Sequence, residues 1–239
     1  MELFRVQGER MLAPFHRPAG PDRKRFPTVL FLHGFPGSEN SVDVQRALLR
    51  RGVASVAPHF LGAWGSGGTY RFTTLVAQAR AALAATRRLP FVDQRRTAAY
   101  GFSMGGWAAL NLAALEPSLK AVVAVAPVGG PEMVGPRTPE FMKRLSRPLQ
   151  TLSPAALTRD FKNAVTRQDP ARAVARLKTP VLLVHGTADD VVPCAVSRRI
   201  ADAATGPHRL VLESGVHHDF LEKREELTRL CAAWLSARL

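Results

Sequence analysis

Short apolar runs recur along the chain and predict strands that lie inside a layered fold. Residues 28–32 are Thr-Val-Leu-Phe-Leu, without any alternation of polar and apolar side chains. A strand covered by helices on both faces has this pattern, whereas a strand with one solvated face alternates. Comparable runs predict further strands in residues 53–58, from residue 97 onward, and in 121–126, 180–185 and 209–213.

Amphipathic segments stand between these runs and predict helices. They cover residues 41–51, 74–88 and 194–204, a segment directly after Ser103, and a closing helix. The closing helix has its apolar side chains at helical spacing, at Leu227, Leu230, Cys231, Trp234 and Leu235. Strands that alternate with helices predict the α/β class, with a mostly parallel central sheet and helices on both faces.

Two regions depart from this alternation. Residues 3–6 and 11–15 flank the turn residue Gly8 and predict a pair of short strands at an antiparallel edge. Residues 128–175 are rich in proline and glycine, which predicts a small cap-like insertion. We expect one domain over residues 1–239, because a chain of 239 residues can bury one substantial core.

Composition favours a globular protein without a membrane-spanning segment. The chain is 46% hydrophobic and 22% charged, and no apolar run approaches the roughly 20 residues that cross a bilayer. Glu2 and the lack of an apolar stretch near the start give no secretory signal, so a cytoplasmic location is expected. Cys194 and Cys231 lack metal-ligand spacing and are expected to be free thiols.

The formal net charge of +14 raises the hypothesis of a nucleic-acid partner. The arginines are scattered over predicted helices and loops, without interleaved aromatic residues or a nucleic-acid-binding module. We therefore expect no nucleic acid and assign most of the charge to solvated helix faces. So positive a field would still attract anionic substrates, and salt would weaken that attraction.

The motif Gly101-x-Ser103-x-Gly105 lies between an apolar run and the helical segment that follows it. In this context it is typical of a nucleophile elbow, a strained turn that presents a serine hydroxyl above the sheet. The N–H of Met104 at the helix start would point toward charge on a bound acyl oxygen. The alternative is that Ser103 only caps the helix.

Three other loops follow strand ends, which meet along one edge of a parallel sheet. One contains Phe35, whose N–H is the candidate second donor of an oxyanion hole, beside His33, which we expect to be structural. The second loop brings a carboxylate near Asp189, and the third brings a histidine near His218. The chain order of serine, acid and histidine predicts a catalytic triad.

Four stretches of the chain carry a family resemblance: Gly65-Ser66-Gly67-Gly68, Val92-Asp93, Gly101-Phe102-Ser103-Met104-Gly105-Gly106 and His185-Gly186-x-x-Asp189-x-x-Val192-Pro193. They resemble the α/β-hydrolase fold, in its serine-esterase and prolyl-oligopeptidase-like branches, to which dienelactone hydrolases are similar. By this resemblance the triad acid is Asp189, with Asp190 as the alternative. The resemblance also selects His218 and not His217, because the family's histidine follows a glycine by three positions and precedes an aromatic residue by two.

The resemblance implies a serine carboxylic-ester hydrolase that needs no metal or organic cofactor and acts on a small-molecule ester. No propeller domain precedes the predicted sheet and the insertion is short, so small to medium acyl esters are expected before peptides or long-chain lipids. Peptidase, thioesterase and lactonase activities on the same triad are the alternatives. A non-catalytic ligand-binding protein of this fold is the alternative from another class.

Candidate substrate-binding residues are three aromatic side chains in the irregular regions. Trp64 lies in a glycine-rich loop after a strand, and Phe141 and Phe161 lie in the insertion. Each of them has a structural alternative, which is packing at the edge of the core or between the insertion and the sheet.

Overall fold

The computed structural model describes residues 1–21, 23–37 and 41–239. Its strands are β1 (Glu2–Val6), β2 (Glu9–Ala13), β3 (Phe15–His16), β4 (Phe26–Leu32), β5 (Ala54–Val56), β6 (Val92–Phe102), β7 (Val122–Val125), β8 (Val181–Gly186) and β9 (His208–Glu213). Its α-helices are α1 (Val42–Leu49), α2 (Leu75–Arg87), α3 (Met104–Leu115), α4 (Thr138–Leu145), α5 (Pro154–Arg167), α6 (Pro170–Val174), α7 (Ala195–Ala203) and α8 (Arg224–Ser236).

The central sheet has the strand order β3-β5-β4-β6-β7-β8-β9. Every neighbouring pair from β5 to β9 is parallel, and β3 pairs with β5 in the antiparallel direction. The α/β class predicted from the alternation of strands and helices is therefore confirmed. The carboxyl ends of β4, β6, β8 and β9, which precede the candidate loops, lie along one edge.

Helices cover both faces of the sheet, because successive side chains of each strand point to opposite sides. In β4, Leu30 and Leu32 belong to one buried cluster, and Val29 and Phe31 belong to another. The first cluster is completed mainly by α2, α3, α5 and α7, and the second by α1 and α8. Cys231 of α8 is buried in the second cluster, and both cysteines are free, as expected.

The N-terminal strands differ from the sequence prediction. The predicted strand 11–15 is divided, since β2 ends at Ala13 and β3 begins at Phe15. Pro14 lies between them and has no N–H to donate to a ladder, although its carbonyl accepts a hydrogen bond from Ala57 N–H at 2.8 Å. As a result β1 and β2 form a separate two-stranded sheet, and β3 alone supplies the antiparallel edge.

The segment between β7 and β8 is largely helical, and two of its α-helices begin at prolines. Pro154 and Pro170 are the first residues of α5 and α6, a position where the missing N–H costs nothing. Ser153 and Asp169 precede them as caps, each accepting a hydrogen bond from a first-turn N–H. The segment is joined to the loop after β5, where Tyr70 N–H donates to the Gln150 carbonyl at 2.7 Å.

Candidate active site

Ser103 lies at the turn between β6 and α3, with the backbone angles φ 53° and ψ −118°. A positive φ is strained for a residue with a Cβ atom, and close packing around the turn maintains it. A Cβ atom on Gly101 would overlap the carbonyl oxygen of Gly105, and one on Gly105 would overlap the carbonyl oxygen of Leu32. The two glycines therefore permit the sharp elbow that the sequence predicts.

The structure brings Ser103, His218 and Asp189 together in one line. Ser103 Oγ lies 3.1 Å from His218 Nε2, and His218 Nδ1 lies 2.7 Å from Asp189 Oδ2. Since Asp189 accepts at Nδ1, the imidazole carries its proton there and leaves Nε2 free to accept the serine hydroxyl proton. Ser103 is only 7% exposed, and the His218 side chain is 16% exposed.

Asp189 is held as a carboxylate by several donors. Its Oδ1 accepts the N–H groups of Val191 and Val192 at 2.9 and 2.8 Å, and its Oδ2 accepts from His218. Burial is the largest influence on its pKa and raises it. The hydrogen bonds from His185 and His218 together with the nearby charge outweigh that effect and hold the pKa of Asp189 well below its ordinary value.

The loop after β8, which contains Asp189, and the loop after β9, which contains His218, are joined by hydrogen bonds. Ala188 N–H donates to the Val216 carbonyl at 3.0 Å, and Gly215 N–H donates to Thr187 Oγ1 at 3.0 Å. A Cβ atom on Gly186 would overlap that same Val216 carbonyl. These contacts fix the distance between the carboxylate and the imidazole. The ring of Phe102 also packs on His218, with 5.1 Å between the ring centroids.

The loop after β4 lies against the nucleophile. A Cβ atom on Gly34 would lie 3.2 Å from Ser103 Cβ, so Phe35 is one residue from this close approach. Met104 is the first residue of α3, so its N–H has no helical carbonyl partner one turn back. The assignment of the Phe35 and Met104 N–H groups to an oxyanion hole remains a prediction.

His33 is buried and has partners at both ring nitrogens. Its Nε2 accepts Phe60 N–H at 3.0 Å, and its Nδ1 donates to the Gly34 carbonyl at 2.7 Å. Burial lowers the pKa of His33 to about 4 against the opposing hydrogen bond to Gly34. A neutral imidazole with both nitrogens engaged fits the structural role expected for His33.

Trp64 contacts the loop after β4 rather than the triad side chains. Its Nε1 donates to the Pro36 carbonyl at 2.8 Å, and its side chain is partly solvated, with the residue 42% exposed. A Cβ atom on Gly37 would lie 2.5 Å from that nitrogen. Trp64 thus covers the outer side of the loop that contains Phe35, and a direct substrate contact stays a prediction.

The two insertion aromatics pack against the core. Phe161 is 6% exposed, and its ring lies 5.1 Å from that of Phe72, which in turn lies 5.0 Å from Phe35. Phe141 is half-buried against the same cluster, with the Arg144 guanidinium 6.0 Å from its ring. These contacts agree with the packing alternative, and substrate binding by Phe141 or Phe161 stays a prediction.

The neighbours of the predicted acid and histidine face elsewhere. His217 is exposed, and its Nδ1 lies 2.5 Å from Glu222 Oε1. Asp190 is exposed as well, whereas the Asp189 side chain is fully buried. The two members of each pair therefore differ in exposure and in partners, and the assignment of Asp189 and His218 to a triad stays a prediction.

Sequence reasoning missed a second histidine beside Asp189. His185 ends the buried run of β8, and its ring contacts both Asp189 and Ser197. The available signal was a histidine at the end of an apolar strand, four residues before the predicted acid.

No group of three or more His, Cys, Asp or Glu side chains that could hold a metal ion occurs among the described residues. Within the same ranges, none of the helices is both long and apolar enough to span a bilayer.

Fold and sequence together define the class of this protein, which has the α/β-hydrolase fold. Residues 40–239 match the prolyl oligopeptidase family, and the chain belongs to that family. Two uncharacterized proteins of Mycobacterium tuberculosis, from strains CDC 1551 / Oshkosh and H37Rv, are 29% identical to it over 194 residues. The match covers 81% of this chain and 63% of each relative, so the chain spans less than two thirds of their length.

Solved structures share the fold at low sequence identity. Est1E from Butyrivibrio proteoclasticus, with ferulic acid bound, is 21% identical, with a TM-score of 0.79 over 100% of this chain and 99% of that chain. A puromycin-hydrolyzing peptidase of Mycobacterium tuberculosis is 24% identical, with a TM-score of 0.78 over 100% of this chain and 39% of that chain. An esterase domain from a Rhodothermus marinus protein, 22% identical with a TM-score of 0.74 over 99% of this chain and 97% of that chain, shares the fold as well.

Proposed function

We propose that the chain is a serine carboxylic-ester hydrolase that acts on small to medium acyl esters. The observation that carries the proposal is the hydrogen-bonded line from Ser103 through His218 to Asp189. It is the geometry that nucleophilic catalysis by a serine requires, because a weak nucleophile needs an adjacent base that a third group orients.

In the acylation step, Ser103 Oγ attacks the ester carbonyl carbon while His218 Nε2 takes the hydroxyl proton. The carbonyl π electrons move to oxygen, and the N–H groups of Phe35 and Met104 stabilise that oxyanion. The tetrahedral intermediate then collapses. The bond from carbon to the alcohol oxygen breaks, and His218 returns its proton to the leaving alcohol.

In the deacylation step, water replaces the alcohol in the reverse sequence. His218 removes a proton from water as the water oxygen attacks the acyl carbon, and it then protonates Ser103 as the acid product leaves. Asp189 stabilises the imidazolium in both steps and keeps the Nδ1 proton in place. The chemistry uses only side-chain and backbone groups of the chain.

Ester hydrolysis is the first candidate, and structures that this chain resembles support it. Est1E, whose structure holds ferulic acid, and an esterase domain from Rhodothermus marinus both share the fold. A puromycin-hydrolyzing peptidase of Mycobacterium tuberculosis shares it as well. Peptidase activity is the second candidate, because the chain belongs to the prolyl oligopeptidase family.

The test compares p-nitrophenyl esters from acetate to palmitate with p-nitroanilides of the same acyl groups. We expect turnover of the short and medium esters, little turnover of the anilides, and loss of ester turnover in Ser103→Ala. Faster anilide than ester hydrolysis would favour the peptidase, and matched thioesters and lactones test the remaining alternatives. Wild-type rates in Ser103→Ala would contradict the nucleophile assignment.

Two further expectations are tested separately. A ligand-binding protein without catalysis predicts binding without turnover and no labelling of Ser103 by a fluorophosphonate. If a nucleic acid were a partner, a fluorescence titration would show binding that weakens steeply with salt. We propose that the titration shows no such binding. The cytoplasmic location remains a proposal, which fractionation of cells producing the protein would test.

A further inference from the structure

His185 is a fully buried histidine whose ring nitrogens both have polar partners. Nδ1 lies 2.7 Å from Ser197 Oγ, while Nε2 lies 2.8 Å from the Val192 carbonyl oxygen and 3.1 Å from Asp189 Oδ2. Its side chain and that of Asp189 have no exposed surface. A buried imidazole with this number of partners has one fixed orientation.

The partners determine where the proton of His185 resides. A carbonyl oxygen and a carboxylate oxygen can only accept hydrogen bonds, so Nε2 carries the proton and donates it toward Val192 and Asp189. The Ser197 hydroxyl can donate, and it therefore donates a hydrogen bond to Nδ1. Ser197 is itself buried in α7, which fixes the hydroxyl beside the ring.

Asp189 Oδ2 thus receives two N–H donors from opposite histidines. His218 donates from the side of the nucleophile at 2.7 Å, and His185 donates from the interior at 3.1 Å. The other carboxylate oxygen is occupied by two backbone N–H groups. With all four donors present, the carboxylate has no freedom to rotate away from His218.

We propose that His185, oriented by Ser197, is a positioning residue for the triad acid. The hydrogen-bonded side chains then follow the order Ser197–His185–Asp189–His218–Ser103. This inference rests on the proposed function. The hydrogen bond from His185 stabilises part of the negative charge of Asp189. This limits how strongly the carboxylate attracts the imidazolium of His218. It also holds Oδ2 at the place where His218 Nδ1 needs it.

Removal of the interior donor has two expected effects. The carboxylate concentrates its charge on His218, which favours the protonated imidazole, and the acidic limb of the kcat/KM profile moves to higher pH. The carboxylate also gains freedom to rotate, which lowers kcat by about 10-fold, the scale seen when an outer partner of a site residue is lost. Neither effect involves the substrate directly, so KM stays nearly unchanged.

The experiment measures kcat, KM and the pH profile for p-nitrophenyl butyrate in wild type, His185→Leu, His185→Gln and His185→Asn. The Gln amide reaches the position of Nε2 and can donate to Asp189, whereas the shorter Asn amide reaches only the position of Nδ1. We expect His185→Gln to remain near wild type. His185→Leu and His185→Asn are expected to lose about 10-fold in kcat with the pH shift. His208→Gln, at the exposed start of β9, is the matched control.

Circular dichroism and a melting curve establish that each variant is folded at the assay temperature. If His185→Leu does not fold, the comparison of Gln with Asn decides the proposal. Wild-type kcat and pH profile in the Leu and Asn variants, or equal losses in Gln and Asn, would overturn it. Ser103-dependent turnover in wild type distinguishes this failure from a failure of the proposed function, in which no ester is hydrolysed.

Discussion

Gly105 lies directly against Leu32, so that a Cβ atom on the glycine would overlap the leucine carbonyl oxygen. This approach joins the first turn of α3 to the end of β4. It therefore joins the nucleophile elbow to the loop that contains Phe35. The spacing of the two proposed oxyanion donors therefore depends on this contact, together with the close approach of Gly34 to Ser103.

Gly105→Ala is expected to lower both stability and activity. The added methyl group must push β4 and α3 apart, and overpacking of this kind costs about 1–3 kcal/mol in the free energy of unfolding. Denaturant unfolding and ester turnover measure the two effects. Gly135→Ala is the control, because nothing lies within 4 Å of a Cβ atom there. Equal stability of the two variants would contradict the prediction.

Asp189→Asn is expected to retain the fold and lose about 10³- to 10⁴-fold in kcat. The Asn amide can donate to His218 Nδ1, which places the imidazole proton on Nε2 and removes the base. Steady-state kinetics on a p-nitrophenyl ester give the value. Asp190→Asn, one residue away and exposed, is expected to retain activity. A large loss in Asp190→Asn with a small one in Asp189→Asn would reverse the assignment of the acid.

The adjacent histidines are expected to differ sharply. His218→Gln removes the proposed general base and lowers kcat by about 10²- to 10⁴-fold. His217→Gln removes only an exposed contact with Glu222 and leaves kcat nearly unchanged. The rate of fluorophosphonate labelling at Ser103 is a second measurement of the same difference. Similar losses in both variants would show that His217 also takes part.

His33 is expected to make stability depend on pH below neutrality. Burial lowers its pKa from an ordinary 6.5 to about 4, so the unfolded chain binds more protons between these values. Stability is therefore full above pH 6.5 and is lost as the pH falls toward 4, by an amount on the order of 3 kcal/mol. Urea unfolding at pH 7 and pH 4.5 measures the loss.

His33→Gln is the comparison variant, since Gln does not titrate. It is expected to be less stable than wild type at pH 7, because the bonds to Phe60 and Gly34 are altered. Its stability should nevertheless fall less between the two pH values. An equal fall in both proteins would assign the acid sensitivity to other groups.

The sequence predicts most of the fold, because the buried strands leave local apolar runs and the helices outside residues 128–175 are indicated by amphipathic spacing or, for α3, by the elbow motif before it. Most boundaries agree within a few residues, as for the predicted helix 74–88 and the observed Leu75–Arg87. The exception is β6, which begins at Val92 and not at the predicted residue 97. The error at Pro14 arises because two strands in different sheets were joined in one apolar stretch. Pro14 is a local signal that the ladder is interrupted, but it does not indicate that the two halves join different sheets.

The candidate site is predicted only where its signal is local. The elbow around Ser103 has a motif of its own, and the meeting of Asp189 with His218 follows from the edge of a parallel sheet. The contact between His185 and Ser197 crosses from β8 to α7 and depends on side-chain packing. The contacts of Trp64 and Phe161 likewise depend on how irregular segments fold back, which residue spacing does not encode.

The order of strands has a consequence for how the protein folds. Ser103 and His218 are 115 positions apart, and β7, β8 and β9 continue the sheet from β6 to the loop that contains His218. Contacts between such distant parts of a chain form slowly. The elbow can therefore form early and stay unreactive, and the reactivity of its serine appears only when the last strand is in place. In a refolding experiment, the rate at which a fluorophosphonate labels Ser103 is thus expected to report when the sheet is complete.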